Sequence, residues 1–71
     1  KVDVEAVAIR HGRSGRPHRG VLLGREGKGR RVLAELAHDS DEMATLEEEE
    51  LVGKSATVRF DEKRGLNLAR F

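Results

Sequence analysis

The chain of 71 residues is 37% hydrophobic and nearly neutral, with 14 Lys or Arg against 13 Asp or Glu, and it contains no cysteine. A chain this short buries only about 60% of the surface that its unfolded form exposes, which limits it to a single domain over residues 1–71 with one modest core. Disulfides, thiolate metal sites and a cysteine nucleophile are excluded, and no apolar run approaches the roughly 20 residues that a membrane-spanning helix requires.

The first predicted strand has apolar side chains at alternate positions, at Val2, Val4, Ala6 and Ala8. This period of two is typical of a half-buried strand. Val7 and Ile9 fall on the opposite face, so the strand is expected to bulge or bend beyond Ala6. Residues 11–18 follow with two glycines, one proline and no apolar side chain, which predicts a turn or a mobile loop.

The second strand is predicted over residues 19–25, and the glycines in residues 26–29 predict a tight turn into the third. Apolar side chains of the third strand alternate on the face expected to be buried, at Val32, Ala34 and Leu36. Leu33 is the exception, because it falls on the solvent side, where the helix or a partner could cover it.

A short helix is expected over residues 41–52, where apolar residues recur at helical spacing at Met43, Leu46 and Leu51. Asp39 and Glu42 have the spacing of a capping box at its start. Gly53 stands where a left-handed residue commonly ends a helix, so the helix is expected to stop there.

Two more strands complete the chain. The predicted core-facing residues are Ala56, Val58 and Phe60 in the fourth strand, and Leu66 and Leu68 in the fifth. The order β-β-β-α-β-β is that of the OB fold, a small five-stranded Greek-key barrel, here with one short helix between strands three and four. The sequence therefore predicts a mainly β, OB-like barrel.

Charge is unevenly distributed along the chain. Residues 1–34 hold nine basic and three acidic side chains, residues 35–52 hold eight acidic and no basic ones, and residues 53–71 hold five basic and two acidic ones. Four consecutive glutamates at residues 47–50 are unfavourable at the end of a helix, where the dipole disfavours carboxylates. They are expected to contact a basic partner or basic residues of the chain itself, of which the candidates are Arg25, Arg30, Arg31 and Lys54.

The candidate binding site is the basic loop between the first two strands, whose arginines are Arg10, Arg13, Arg16 and Arg19. Two histidines, His11 and His18, flank the same loop. Guanidinium groups and glycine backbone amides together bind phosphate, so the loop could hold a phosphate or another anion. The competing interpretation is a solvated loop without a ligand, because no Walker or dinucleotide pattern is present.

Other classes of ligand are disfavoured. Binding of single-stranded nucleic acid relies on exposed aromatic side chains, and the chain has only Phe60 and Phe71. The three histidines lack metal-ligand spacing, so neither a metal nor a cofactor is expected. The absence of cysteine fits a reducing compartment, so a cytoplasmic location is expected. The strand-like start at Lys1, without an initiator Met, indicates a part of a longer protein.

Three segments cover most of the chain: RGVLLGR at residues 19–25, GRRVLA at residues 29–34, and LVGKS at residues 51–55, which continues to Asn67 and Leu68. Together they resemble the additional C-terminal domain of thiolase-like proteins of the acetyl-CoA acetyltransferase group.

The resemblance implies a non-catalytic, OB-like accessory domain with a structural or interaction role in acyl-CoA and lipid metabolism. Its partner would be a thiolase-like core in the same chain, which would supply the cysteine and histidine of acyl transfer. An acyl carrier or coenzyme A is a further candidate partner, and no membrane is expected. The alternative is a stand-alone OB module that binds single-stranded nucleic acid or a phosphate-bearing ligand through the basic loop.

Overall fold

The computed structural model describes all 71 residues, which form five strands and one short helix. In chain order the elements are β1 (Val2–His11), β2 (Pro17–Arg25), β3 (Arg31–Leu36), α1 (Ser40–Glu47), β4 (Ser55–Asp61) and β5 (Leu66–Arg70). The mainly β class and the order β-β-β-α-β-β expected from the sequence are confirmed.

The strands close into a ring in the order β1-β2-β3-β5-β4. Neighbouring strands run antiparallel except for β3 and β5, which are parallel and have Glu35 opposite Leu68 and Leu36 opposite Ala69. A parallel pair needs a long crossover connection, and α1 and β4 supply it. This is the topology of an OB-like barrel, in which β4 returns to β1 through Val2 opposite Ala56 and Asp3 opposite Ser55.

A bulge at Glu5 sets the two faces of β1. The register skips Glu5, because Val4 and Ala6 pair with adjacent residues of β2. The change of parity therefore precedes Ala6 instead of following it as predicted, and Ala6 and Ala8 are exposed. The residues of β1 that pack against the core after the bulge are Val7 and Ile9.

The core is small and aliphatic. Its buried members come from every strand and from the helix, and they are Val2, Val4, Leu22, Ala34, Leu36, Met43, Ala56 and Ala69. A Cβ on Gly20 would lie 2.9 Å from Leu36 Cγ, and a Cβ on Gly24 would lie 2.6 Å from Val2 Cγ2. Neither place has room for a side chain, so these two glycines allow the narrow barrel to close around its core.

Helix α1 begins as predicted but ends earlier. The Asp39 carboxylate accepts from the Glu42 amide at 2.8 Å and the Glu42 carboxylate accepts from the Asp39 amide at 3.1 Å, which confirms the capping box. The helix ends at Glu47, well before the predicted end at residue 52. Carboxylates at its last turn oppose the helix dipole, and that turn has no basic residue. Leu51 is buried from the irregular segment that follows.

Two predictions about the last strands are wrong. Phe60, predicted to face the core, is 58% exposed, because it lies near the end of β4, beyond the buried cluster. In β5, Leu66 and Leu68 are only half-buried, whereas Ala69 is fully buried. Ala69 lies opposite Val58, which packs against the core, and its small side chain fits the narrow interior.

Candidate functional site

The connection between β1 and β2 is a hydrogen-bonded turn of residues 12–16. Because β1 runs to His11 and β2 starts at Pro17, the loop is shorter at both ends than the sequence predicts. The Gly12 amide donates to the Arg16 carbonyl at 2.9 Å, which continues the pairing of the two strands into the turn. The basic residues that flank the turn are therefore positioned by a strand pair.

The structure brings two of the four candidate arginines together and separates the other two from them. Arg10 and Arg19 lie directly opposite each other on β1 and β2, and both are exposed, so their side chains share the outer face of the sheet. Arg16 instead pairs with Asp41 in the first turn of α1. Arg13 lies in the turn and makes no ion pair.

A bulge at His18 adds an imidazole to the arginine pair. Arg19 pairs with Arg10, but the next pair along β1 joins His11 to Pro17, so His18 is an extra residue in β2. As a result, His18 and Arg19 line the same depression, of about 310 Å³, together with Arg10 and His11. No carboxylate lines this depression.

Positive charge around the depression is only partly neutralised. Arg19 Nε lies 3.6 Å from Glu35 Oε1, and the same oxygen accepts a hydrogen bond from Arg64 Nη2 at 3.0 Å. Arg10 makes neither an ion pair nor a side-chain hydrogen bond. The depression therefore presents one unpaired guanidinium beside a second one that shares its carboxylate, an arrangement that suits an anion.

A second surface is a groove of about 470 Å³ beside Lys1, at the opposite end of β1 from the arginine pair, and half of the residues that line it are apolar. Leu33, 64% exposed, and Phe60, 58% exposed, are its large apolar side chains. The prediction that Leu33 faces solvent is confirmed, and α1 does not cover it. Smaller apolar side chains that line the groove are Val2, Val32 and Val58.

The sequence of the chain matches a known family of domains. The family model of the additional C-terminal domain of thiolase-like protein type 1 matches residues 1–63. The chain belongs to this family. No curated protein and no solved structure shows significant similarity to the chain. The match to the family model confirms, at the level of the family, the resemblance that was predicted from residues 19–25, 29–34 and 51–55.

As an additional C-terminal domain of a thiolase-like protein, the chain is an accessory domain. It contains no cysteine, and no group of three or more His, Asp or Glu side chains is placed to hold a metal ion. No helix has the length and apolar character to cross a membrane. The arginine depression and the groove beside Lys1 are two surfaces of this thiolase-like domain from which a function can be argued.

The acidic run of this thiolase-like domain finds fewer basic neighbours than the sequence predicts. Lys54 Nζ lies 3.9 Å from Glu49 Oε1, which confirms one of the four basic residues predicted to contact the run. His11, which was not a candidate, has its Nε2 2.9 Å from Glu47 Oε1. The other three candidates pair with acids outside the run, and they are Arg25, Arg30 and Arg31.

Glu5, the bulged residue of β1, joins two of those arginines. Its carboxylate accepts hydrogen bonds from Arg25 Nε and Arg31 Nε, each at 3.1 Å. The hydrogen bond from Arg25 is the largest of the effects that hold the pKa of Glu5 below its ordinary value of 4.5, and the positive charges of both arginines add to it. Partial desolvation of the carboxylate opposes these effects.

Sequence reasoning misses the groove and the position of His18. Phe60 has the parity of the buried Ala56, and parity alone does not show that it lies beyond the core. The sequence predicts the turn after Asp61 and so places Phe60 near the end of the strand, but it does not predict that the core stops before that point. The bulge at His18 has no sequence signal of its own.

Proposed function

We propose that the chain is a non-catalytic accessory domain of a thiolase-like acetyl-CoA acetyltransferase, with a structural role in acyl-CoA metabolism, and that it packs against the acyltransferase core. The match of the family model over residues 1–63 carries this proposal. Acyl transfer by covalent catalysis needs an activated nucleophile, and in the thiolase group this is a cysteine. Under the proposal, the core supplies that cysteine and the present domain supplies a packing surface.

The groove beside Lys1 is the surface that we assign to the core. Leu33 and Phe60 expose large apolar side chains there, and contiguous exposed apolar patches mark interaction surfaces of soluble proteins. In a C-terminal domain the core comes before residue 1 in the sequence, and Lys1 itself lines the groove. A covalently joined neighbour is present at a high effective concentration, so a small apolar contact is enough to hold the two together.

The rim of the groove adds an electrostatic expectation. Three basic side chains and one acidic one line it, but Arg30 pairs with Glu26 and Arg31 pairs with Glu5, so Lys1 is the basic residue left unpaired. Complementary charges at the edge of an interface guide association and select the orientation. The matching surface of the core is therefore expected to be apolar at its centre and to carry a carboxylate beside Lys1.

The substitution Phe60→Ser in the full-length polypeptide tests the groove. We expect faster proteolytic cleavage between core and domain and faster amide exchange at residues 31–33, because the variant removes the largest apolar side chain from the contact. Phe60 lies outside the buried cluster of the barrel, so the domain itself should keep its stability. The matched control is Val52→Ser, which changes a residue of similar exposure, 53%, outside the groove.

Two failures of this proposal can be told apart. A full-length polypeptide without a thiolase-like core before residue 1 would refute the accessory role. Equal behaviour of Phe60→Ser and Val52→Ser, with such a core present, would refute the groove as its contact and leave the accessory role standing. Acyl transfer by the purified 71-residue chain alone would contradict the non-catalytic assignment.

A further inference from the structure

We propose that Arg10, Arg19 and His18 form a binding site for the phosphate group of a small phosphorylated ligand. The site lies on the outer face of β1 and β2 and uses no residue of the groove beside Lys1. It therefore goes beyond the proposed accessory function and does not depend on a thiolase-like core.

Two arginines directly opposite each other are unfavourable for a strand pair on its own. Like charges at opposed positions destabilise a sheet, and the Glu35 carboxylate near Arg19 offsets the repulsion between Arg10 and Arg19 only in part, because it also binds Arg64. Arg10 contributes no ion pair to the folded chain, so its charge has no structural role that the contacts reveal. An anion between the two guanidinium groups would replace their repulsion by attraction to a shared charge.

The donors in the depression match the acceptors of a phosphate. Each guanidinium presents N–H groups in a planar fork, which binds phosphate oxygens in pairs, and the imidazole of His18 can add one N–H. Arg19 Nε lies 3.6 Å from Glu35 Oε1, and Arg64 Nη2 lies closer to the same oxygen, at 3.0 Å. Arg19 is thus positioned by Glu35 and retains donors for a ligand.

The lining of the depression indicates a ligand recognised through its charge. The four residues that line it are arginines and histidines, and none of them is apolar. A volume of about 310 Å³ admits a phosphate or diphosphate group, and the depression contains no apolar residue to hold an acyl chain.

The surroundings favour a small ligand over a nucleic acid strand. Bases of single strands stack on aromatic side chains, and neither phenylalanine lies beside the arginine pair. The Phe71 ring stacks on His38, with the ring centroids 6.2 Å apart. Phe60 lines the groove beside Lys1 instead. Binding of a nucleic acid strand is therefore an outcome that the experiment must be able to detect.

In the experiment, the 71-residue chain is titrated separately with inorganic pyrophosphate, coenzyme A and a short oligothymidylate. Binding is measured from the changes in its amide chemical shifts. We expect saturable shifts at residues 10, 18 and 19 with pyrophosphate and coenzyme A. The variant Arg10→Gln should weaken binding at least about ten-fold, which corresponds to ~1.4 kcal/mol. The matched control is Arg59→Gln, which removes an exposed arginine that makes no ion pair and lies outside the depression, and it should leave binding unchanged.

A second readout keeps the test independent of the ligand chosen. Without any anion, Arg10→Gln should raise the midpoint of thermal unfolding, because it removes the repulsion and breaks no native contact. Pyrophosphate should raise the midpoint of the parent chain and have less effect on the variant.

The outcomes separate the sources of the phosphate. Tighter binding of coenzyme A than of pyrophosphate would support a nucleotide-bearing ligand, and equal binding would support recognition of the phosphate alone. Three results would overturn the site: no saturable shift, equal weakening by Arg10→Gln and Arg59→Gln, or oligothymidylate binding more tightly than both small probes. None of these results bears on the groove or on the accessory role.

Discussion

At Gly20, the interior of the barrel leaves no space for even one methyl group. A Cβ there would lie 2.9 Å from Leu36 Cγ and 3.3 Å from Leu36 Cβ, and both atoms belong to a buried core residue. Overpacking of this kind costs about 1–3 kcal/mol, so Gly20→Ala should lower the free energy of unfolding by that amount. Urea denaturation measures the change.

The control for this substitution is Gly12→Ala. Its new methyl group would meet its nearest neighbours at 3.8 Å and 3.9 Å, which is ordinary van der Waals contact. We therefore expect little change in the free energy of unfolding. Similar losses for both variants would show that the close approach to Leu36 does not limit the barrel.

The ion pairs of Glu5 predict a dependence of stability on pH. Because the folded pKa lies below the ordinary value of 4.5, the ionised carboxylate stabilises the fold above that pH. The contribution is lost as the pH falls through the lowered folded pKa. The variant Glu5→Gln should therefore be less stable than the parent at neutral pH, and the difference should shrink in acid.

Denaturation of both chains from neutral to acidic pH checks this expectation for Glu5. Glu50→Gln is the control, because Glu50 makes no ion pair, and its difference from the parent should be small at every pH. A difference for Glu5→Gln that stays constant into acid would contradict a stabilising role of the ionised carboxylate.

At the scale of the elements, α1 ends where its charges become unfavourable. Glu48 caps the helix and makes no ion pair, and the last turn contains no basic residue. Glu48→Lys reverses the sign of a charge at the negative end of the helix dipole, so it should raise the free energy of unfolding by about 0.3–1 kcal/mol.

Thermal unfolding at low and high salt tests the helix prediction, since the gain should decline as salt screens the dipole. Glu62→Lys makes the same exchange of charge in the turn after β4, away from any helix end, and should not give this gain. Equal gains for both variants would indicate a general charge effect instead of one that acts on α1.

Alternation of side chains predicts where the strands are but not how deep each residue lies. It correctly gives β4, yet it places Phe60 inside, because parity reports the face of a sheet and not the position along the barrel axis. In β5 the larger Leu66 and Leu68 are the natural sequence choice for a core. Ala69 is the buried residue instead, and one of its neighbours across the sheet is Leu36 of the distant strand β3, whose register with β5 is not visible in local sequence.

The members of the candidate site likewise depend on contacts between elements that the local sequence does not show. Spacing along the chain groups Arg10, Arg13, Arg16 and Arg19 in one loop. Pairing across β1 and β2 selects Arg10 and Arg19, the bulge at His18 brings in the imidazole, and Asp41 of α1 pairs with Arg16. These three events depend on contacts between elements, so the sequence could predict the kind of site but not its members.

At the scale of the whole molecule, the strand pairings differ in length. The strand β2 is paired extensively on both sides, whereas two other pairings, here called seams, are short. β2 pairs with β1 along nearly its whole length and with β3 on its other side. By contrast, β1 meets β4 at Val2 and Asp3, and β3 meets β5 at Glu35 and Leu36. Short seams should open at lower free energy than the pairings of β2.

Amide hydrogen exchange of the folded chain tests this order of stability. The amides of residues 21–25, where β2 has a paired strand on each side, should exchange slowest, and those of the seam at residues 2–3 and 55–56 should exchange first. Exchange of the seam as slow as that of β2 would mean that the ring opens only by global unfolding.

The parallel contact of β5 with β3 has a practical consequence for anyone who produces this domain. The family match stops at residue 63, whereas β5 begins at Leu66 and carries the fully buried Ala69. A fragment trimmed to the matched residues would lose the strand that joins β3 to β4. Two bare strand edges and an exposed interior would result, and such edges recruit further copies of themselves. We therefore expect a fragment without the last eight residues to aggregate.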